Sequence, residues 1–166
     1  MRDYKEYNEF YEFMREYVDF FDVLEKKEEE KLKLLYSREA QKLEELLEEY
    51  QLLGRRVAGY EEKREKFHKK LGFGDMTFKE MIESEFATDT AENVEWKERF
   101  GALHQRLKTS VNNTKHFNEK ALEYAQLNMD LVNMINEGEE DLSCYGPGGE
   151  KGKLGGTRPT FLNTEI

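Results

Sequence analysis

No proline occurs before residue 147, and that absence decides most of what the preceding chain can become. Proline removes a backbone N–H and clashes with the turn before it, so a long stretch without it is open to long uninterrupted helices. Both prolines, Pro147 and Pro159, and seven of the twelve glycines fall after residue 137. The chain therefore reads as a helical body over residues 1–137 and a flexible Gly-rich tail over 138–166.

Within the body the apolar residues keep helical time. Leu43, Tyr50, Val57, Arg64 and Leu71 recur every seven residues, with Leu46, Leu53, Tyr60 and Phe67 three places after the first four, which makes a two-position seam broken by one arginine. A second seam runs in steps of three and four from Trp96 through Phe100, Leu103, Leu107, Ser110, Thr114, Phe117, Ala121, Tyr124, Asn128 and Leu131 to Ile135. A third occupies the aromatic start of the chain, from Tyr4 to Leu24, before the charged run Glu25 to Lys31.

Local propensity alone would allow one rod from residue 2 to residue 71, about 105 Å long. Packing argues for a break near Tyr36 and Ser37, with Ser37 as N-cap, because two helices of similar length can then lie antiparallel and bury both seams. Leu71-Gly72-Phe73-Gly74 reads as a helix stop. Thr77 to Glu80 spells a capping box, with Met76 and Met81 placed as its hydrophobic staple, so a short helix is expected over 78–86. The last helix is expected over 91–136. The fold class is all-α: an antiparallel bundle or coiled-coil hairpin of three long helices, with one short connecting helix and a flexible tail.

Charge narrows the functions open to such a bundle. With 36 acidic and 26 basic side chains the net charge is −10, which argues against unspecific binding to nucleic acid or anionic lipid. No stretch approaches the roughly 20 apolar residues of a membrane span, so no direct membrane insertion is expected. Cys144 is the sole cysteine and the charged start, MRDYKEYNEF, does not resemble a signal peptide; the expected location is the cytoplasm.

Catalytic or cofactor chemistry finds no support in the motifs. His68, His104 and His116 lack the HExxH spacing, and none is a sequence neighbour of Cys144. Glu28-Glu29-Glu30 reads as solvated surface, since the Glu-x-x-His partner of a bundle metal site is missing. The stretch from Gly146 to Leu154 fails as a phosphate-binding loop, with proline where its first glycine belongs and leucine after the lysine. Asn112-Asn113-Thr114 spells a glycosylation site but falls inside an expected helix. The chain reads as a binding protein, not an enzyme, with no metal and no cofactor.

The informative anomaly lies between Ala121 and Ile135, where ten of fifteen residues are apolar. One packed seam needs an apolar stripe of only a little over 100°. Here Leu122, Ala125, Met129 and Val132 add a second row, and the last helix exceeds its expected partners by some 13 residues, about 20 Å. Three covers are open: other parts of the chain, a second copy in a homodimer, or an amphipathic helix of another protein, for which methionines supply adaptable contacts.

The order of these features resembles the FlgN family of flagellar secretion chaperones. The resemblance rests on the segment Glu30 to Ser37, on Leu43 to Leu53 continuing to Arg64 and Leu71-Gly72, on Met76 to Ile82, on Asn118 to Ile135, and on Ser143 to Gly149. Departures are Ser37 where the family often has aspartate, an unusually aromatic first helix, and a longer, more glycine-rich tail. The resemblance implies a chaperone that holds the terminal helical segment of hook-associated proteins before type III export, with the flagellar export gate as second partner. It implies Leu122, Ala125, Leu127, Met129, Val132 and Met134 as cargo-binding residues and Tyr145 as the gate contact. The competing reading is a structural coiled-coil adaptor or homodimer.

Overall fold

A computed structural model describes the backbone of residues 4–140 and the side chains of residues 4–138. Four helices and no strand occur among the described residues: α1 (Tyr4–Ser37), α2 (Ala40–Lys70), α3 (Phe78–Glu85) and α4 (Ala91–Glu140).

The breaks have identifiable causes. After Ser37, Arg38 turns into the left-handed region at φ 57°, and its N–H reaches Leu35 O while that of Glu39 reaches Leu34 O. This pair of bonds is a Schellman stop with arginine where glycine is usual. Ser37 is thus the last residue of α1 and not the N-cap of α2: its hydroxyl turns back to Leu34 O, and Glu39, at the N-cap position, makes no side-chain cap. The same motif ends α2, where Gly72 at φ 66° donates to Lys69 O and Phe73 to His68 O. Glycine meets that backbone demand without strain.

The capping box of α3 forms in full, with Glu80 N–H on Thr77 Oγ1 and Thr77 N–H on a Glu80 carboxylate oxygen at 2.8 Å. The Thr77 N–H and then the Thr77 hydroxyl, both bonded to that carboxylate, hold the Glu80 carboxyl below its ordinary pKa. Met81 is buried, whereas Met76 stays exposed. The last helix runs through Gly138 to Glu140, past the expected end at 136. A glycine in a helix costs about 1 kcal/mol, too little to end it by itself.

Helix α1 is the shared element, lying antiparallel to α2 and parallel to α4. Toward α2, Phe13 stacks on Phe67 at 5.0 Å, Phe20 meets Tyr60 at 4.9 Å, Tyr17 donates to Glu61, and Lys27 pairs with Glu49 at 2.8 Å. Partner numbers fall as α1 numbers rise, the mark of antiparallel helices. Burial and the neighbouring Glu61 push the Tyr17 hydroxyl far above its ordinary pKa.

Toward α4 the numbers rise together. Tyr11 meets Phe100, Arg106 bridges Asp19 and Asp22 at 2.8 and 2.5 Å, Ser110 donates to Asp22, Asn113 to Glu25, and Lys31 to Asn118. The polar ladder holds the parallel register, since a slip of one turn would break every rung.

Phe10, fully buried, is the hub of the core. Its ring lies 5.6 to 6.4 Å from Phe67, His68, Phe73, Phe78 and Phe100, so it joins α1 to all three other helices and to the α2–α3 turn. Above this aromatic end comes a buried polar layer. Glu28 is only 2% exposed and pairs with Lys31 at 2.5 Å, while the Lys31 ammonium also sits 5.1 Å over the Tyr50 ring. Burial, followed by the nearby Glu28 charge, raises the Tyr50 pKa. The expectation of Glu28 as solvated surface is corrected: it faces inward with a lysine one turn away as its counter-ion, and Glu29 and Glu30 face outward.

Candidate partner-binding surface

Where α1 stops, α4 goes on. The contact of Tyr36 with Tyr124, 4.8 Å between ring centroids, is the topmost ring pair between the two helices among the described residues. Helix α4 continues for another 140 − 124 = 16 residues, about 24 Å. Its seam is buried at Trp96, Phe100, Leu103, Leu107, Ser110, Thr114 and Ala121, and half-buried at Phe117 and Tyr124. Asn128 is half-buried as well, and beyond it the seam lies open.

Leu122, Leu127, Met129, Leu131, Val132, Met134 and Ile135 are each 49% to 68% exposed, and Ala125 is exposed too. All six expected cargo-binding positions are therefore at the surface. Leu131 and Ile135, read from spacing as part of the packed seam, are equally bare, because the periodicity of α4 outlasts the helix it packs against. Projected at 100° per residue, these side chains span roughly 240° of the circumference, against little more than 100° for one packed neighbour. The remaining arc carries Glu123, Asp130 and Glu137 in one line, and residues 121–138 contain no Lys, Arg or His.

At the root of this overhang a shallow socket opens between the α1–α2 turn and α4, lined by Leu34, Leu35, Ala40, Leu43, Tyr124 and Asn128, with Arg38 at its rim. Hydrogen bonds from Asn128 and then Arg38 draw the Tyr124 hydroxyl below its ordinary pKa. Sequence reading missed the socket. Its parts come from the end of α1, the start of α2 and the interior of α4, and the left-handed turn that brings them together has no glycine to announce it.

The titratable residues elsewhere offer little chemistry. His68 is buried against Phe10 and Phe73, and burial and then Arg64 lower its pKa, so it is neutral at pH 7. Partial burial and the cations Lys108 and Lys79 lower that of His104. Among the described residues no cluster of His, Cys, Asp and Glu could hold a metal ion, and no helix is long and apolar enough to cross a membrane. Thr114 is buried inside α4, which places Asn112-Asn113-Thr114 within a packed helix. Cys144 and Tyr145, and with them the tail, lie outside the described residues.

Comparison with known proteins agrees with the resemblance read from the sequence. The family model for FlgN protein matches residues 1–153. No curated protein and no solved structure matches the chain. A match across that much of the chain, with an all-helical body beneath it, places this protein in the FlgN family of flagellar chaperones.

Proposed function

We propose that the protein is a cytoplasmic flagellar secretion chaperone that holds the terminal helical segment of hook-associated proteins along the overhanging end of α4. The observation that carries this reading is the row of bare apolar side chains from Leu122 to Ile135, more than an isolated soluble protein ordinarily leaves in one patch. Leu122, Ala125, Leu127, Met129, Val132 and Met134 are the proposed cargo contacts. An amphipathic helix laid there covers a surface that on both partners would otherwise drive premature assembly. Part of the contact energy goes into ordering the cargo segment, which keeps the complex releasable. Delivery to the type III export apparatus is assigned to the tail, with Tyr145 as the contact to the export gate. The reading requires no catalytic group, metal or cofactor.

The test is co-purification of the chain with hook-associated proteins carrying or lacking their last forty or so residues, a length that removes a terminal helix of about 60 Å. Capture is expected only with the terminal segment present. Leu122→Asp combined with Met129→Asp should weaken capture at least about a hundredfold, from two lost apolar burials of roughly 1.5 kcal/mol or more each. The circular dichroism of the free chain should stay unchanged. Undiminished capture by this variant sinks the assignment of the surface.

A further inference from the structure

The overhang carries two apolar rows: of the cargo contacts proposed above, Leu122, Ala125, Met129 and Val132 form one, while Leu127 and Met134 lie about 80° beyond the other and flank it. The other is the continuation of the α1–α4 interface itself: Tyr124, Asn128, Leu131 and Ile135 repeat, in the same steps of three and four, the line that α1 covers from Trp96 to Ala121. This row points where α1 would have gone had its chain not turned at Arg38. Its lower end opens into the socket of Leu34, Leu35 and Leu43. In projection the two rows lie about 110° apart, the separation of two distinct neighbours around one helix and too wide for a single helix to straddle.

Resting on the proposed chaperone reading, we infer that the cargo supplies two helical segments. One lies on the row of Leu122 and Met129. A second, apolar on one face, lies on Leu131 and Ile135 coaxially with α1, its end side chain seated in the socket beside Tyr124. Continuity with the packed interface below is what assigns this row to a helix. A second copy of the chain fits less well. Pairing of two overhangs rests on this strip of about 24 Å alone, whereas a cargo that also occupies the Leu122 row adds a second contact to it. It would also leave the Leu122 row bare.

Calorimetric titration of the full chain with a whole hook-associated protein, and separately with a peptide of its last forty residues, tests the inference. Leu131→Asp combined with Ile135→Asp should weaken binding of the whole cargo at least tenfold and of the peptide less than twofold. Leu122→Asp combined with Met129→Asp should weaken both. Circular dichroism checks that each variant keeps its helix content. Equal losses for peptide and whole cargo in the first variant overturn the two-segment inference while leaving the chaperone reading standing, as does whole-cargo binding within twofold of wild type. Loss of neither ligand in the second variant, or no binding of either to the wild-type chain, overturns the reading and the inference with it. Two further results overturn the second segment alone: a concentration-dependent dimer in sedimentation that Leu131→Asp with Ile135→Asp abolishes, which gives the row to a second copy, and strong amide-exchange protection of residues 128–136 in the free monomer, which gives it to the chain's own tail.

Discussion

The two halves of α4 both carry apolar rows, the distal half more of them, and the rows meet opposite fates. From Trp96 to Val111 every large apolar side chain is buried, and Phe100 alone touches the rings of Phe10, Tyr11, Phe78, Phe86 and Trp96. From Leu122 to Ile135 none of the large aliphatic side chains is buried. Helix propensity does not separate these halves, since one unbroken helix carries both. The difference lies in the neighbour: α1 accompanies the first half and ends at Ser37, level with Tyr124. Hydrophobic residues in a helix thus become core or binding surface according to where an adjacent helix stops.

Substitutions in the two halves and in the layer between them put that contrast under strain. The largest effect is expected at the hub: Phe10→Ala should cost about 4 kcal/mol of stability, read from the urea midpoint, by removing a fully buried ring from four neighbouring elements. Next comes the polar layer. Lys31→Met leaves Glu28 buried without its counter-ion and should cost about 3 kcal/mol, with most of the loss recovered when Glu28→Met is added.

Thr77→Ala, which removes one half of the capping box, should cost about 1 kcal/mol. A milder signature comes from pH. Burial lowers the folded-state pKa of His68, so below the unfolded value of about 6.5 the unfolded chain binds the proton that the folded chain resists. Stability should therefore be complete above that pH and fall as the pH drops through it toward the folded pKa. The fall should be smaller in His68→Gln, with a remainder from His104, whose shift has the same sign. The smallest change is expected on the overhang, where Met134→Ala should alter stability by less than about 0.5 kcal/mol. A loss there comparable to that of Phe10→Ala would erase the distinction between the halves.

Much of this architecture was legible because it depends on local rules. The Thr77 to Glu80 capping box, the stop at Gly72 and the steps of three and four along α4 are spelled in short stretches of residues. What escaped depends on distant partners or on residues acting against type. Arg38 takes a left-handed conformation that glycine usually marks, so the sequence locates the break but mistakes Ser37, which closes α1, for an N-cap. Glu28 looks like any surface glutamate until Lys31 and Tyr50 are seen around it. Spacing alone assigns Leu131 and Ile135 to the packed seam, because periodicity records which residues share a face and not how far the opposite helix extends; only the excess length of the last helix points to their exposure.

The parallel pairing of α1 with α4 also bears on how the molecule assembles. Its polar rungs join residues 84 to 88 positions apart, whereas the α1–α2 hairpin closes around a two-residue turn. Short closures are fast and long ones slow, so the hairpin should form first and α4 should dock onto it last. On the ribosome, at about 5 to 20 residues per second, roughly 5 to 18 seconds separate the synthesis of Phe10 from that of Phe100. For that interval the nascent chaperone carries an uncovered aromatic face of its own, and it must outlast the same hazard from which it is proposed to shield its client.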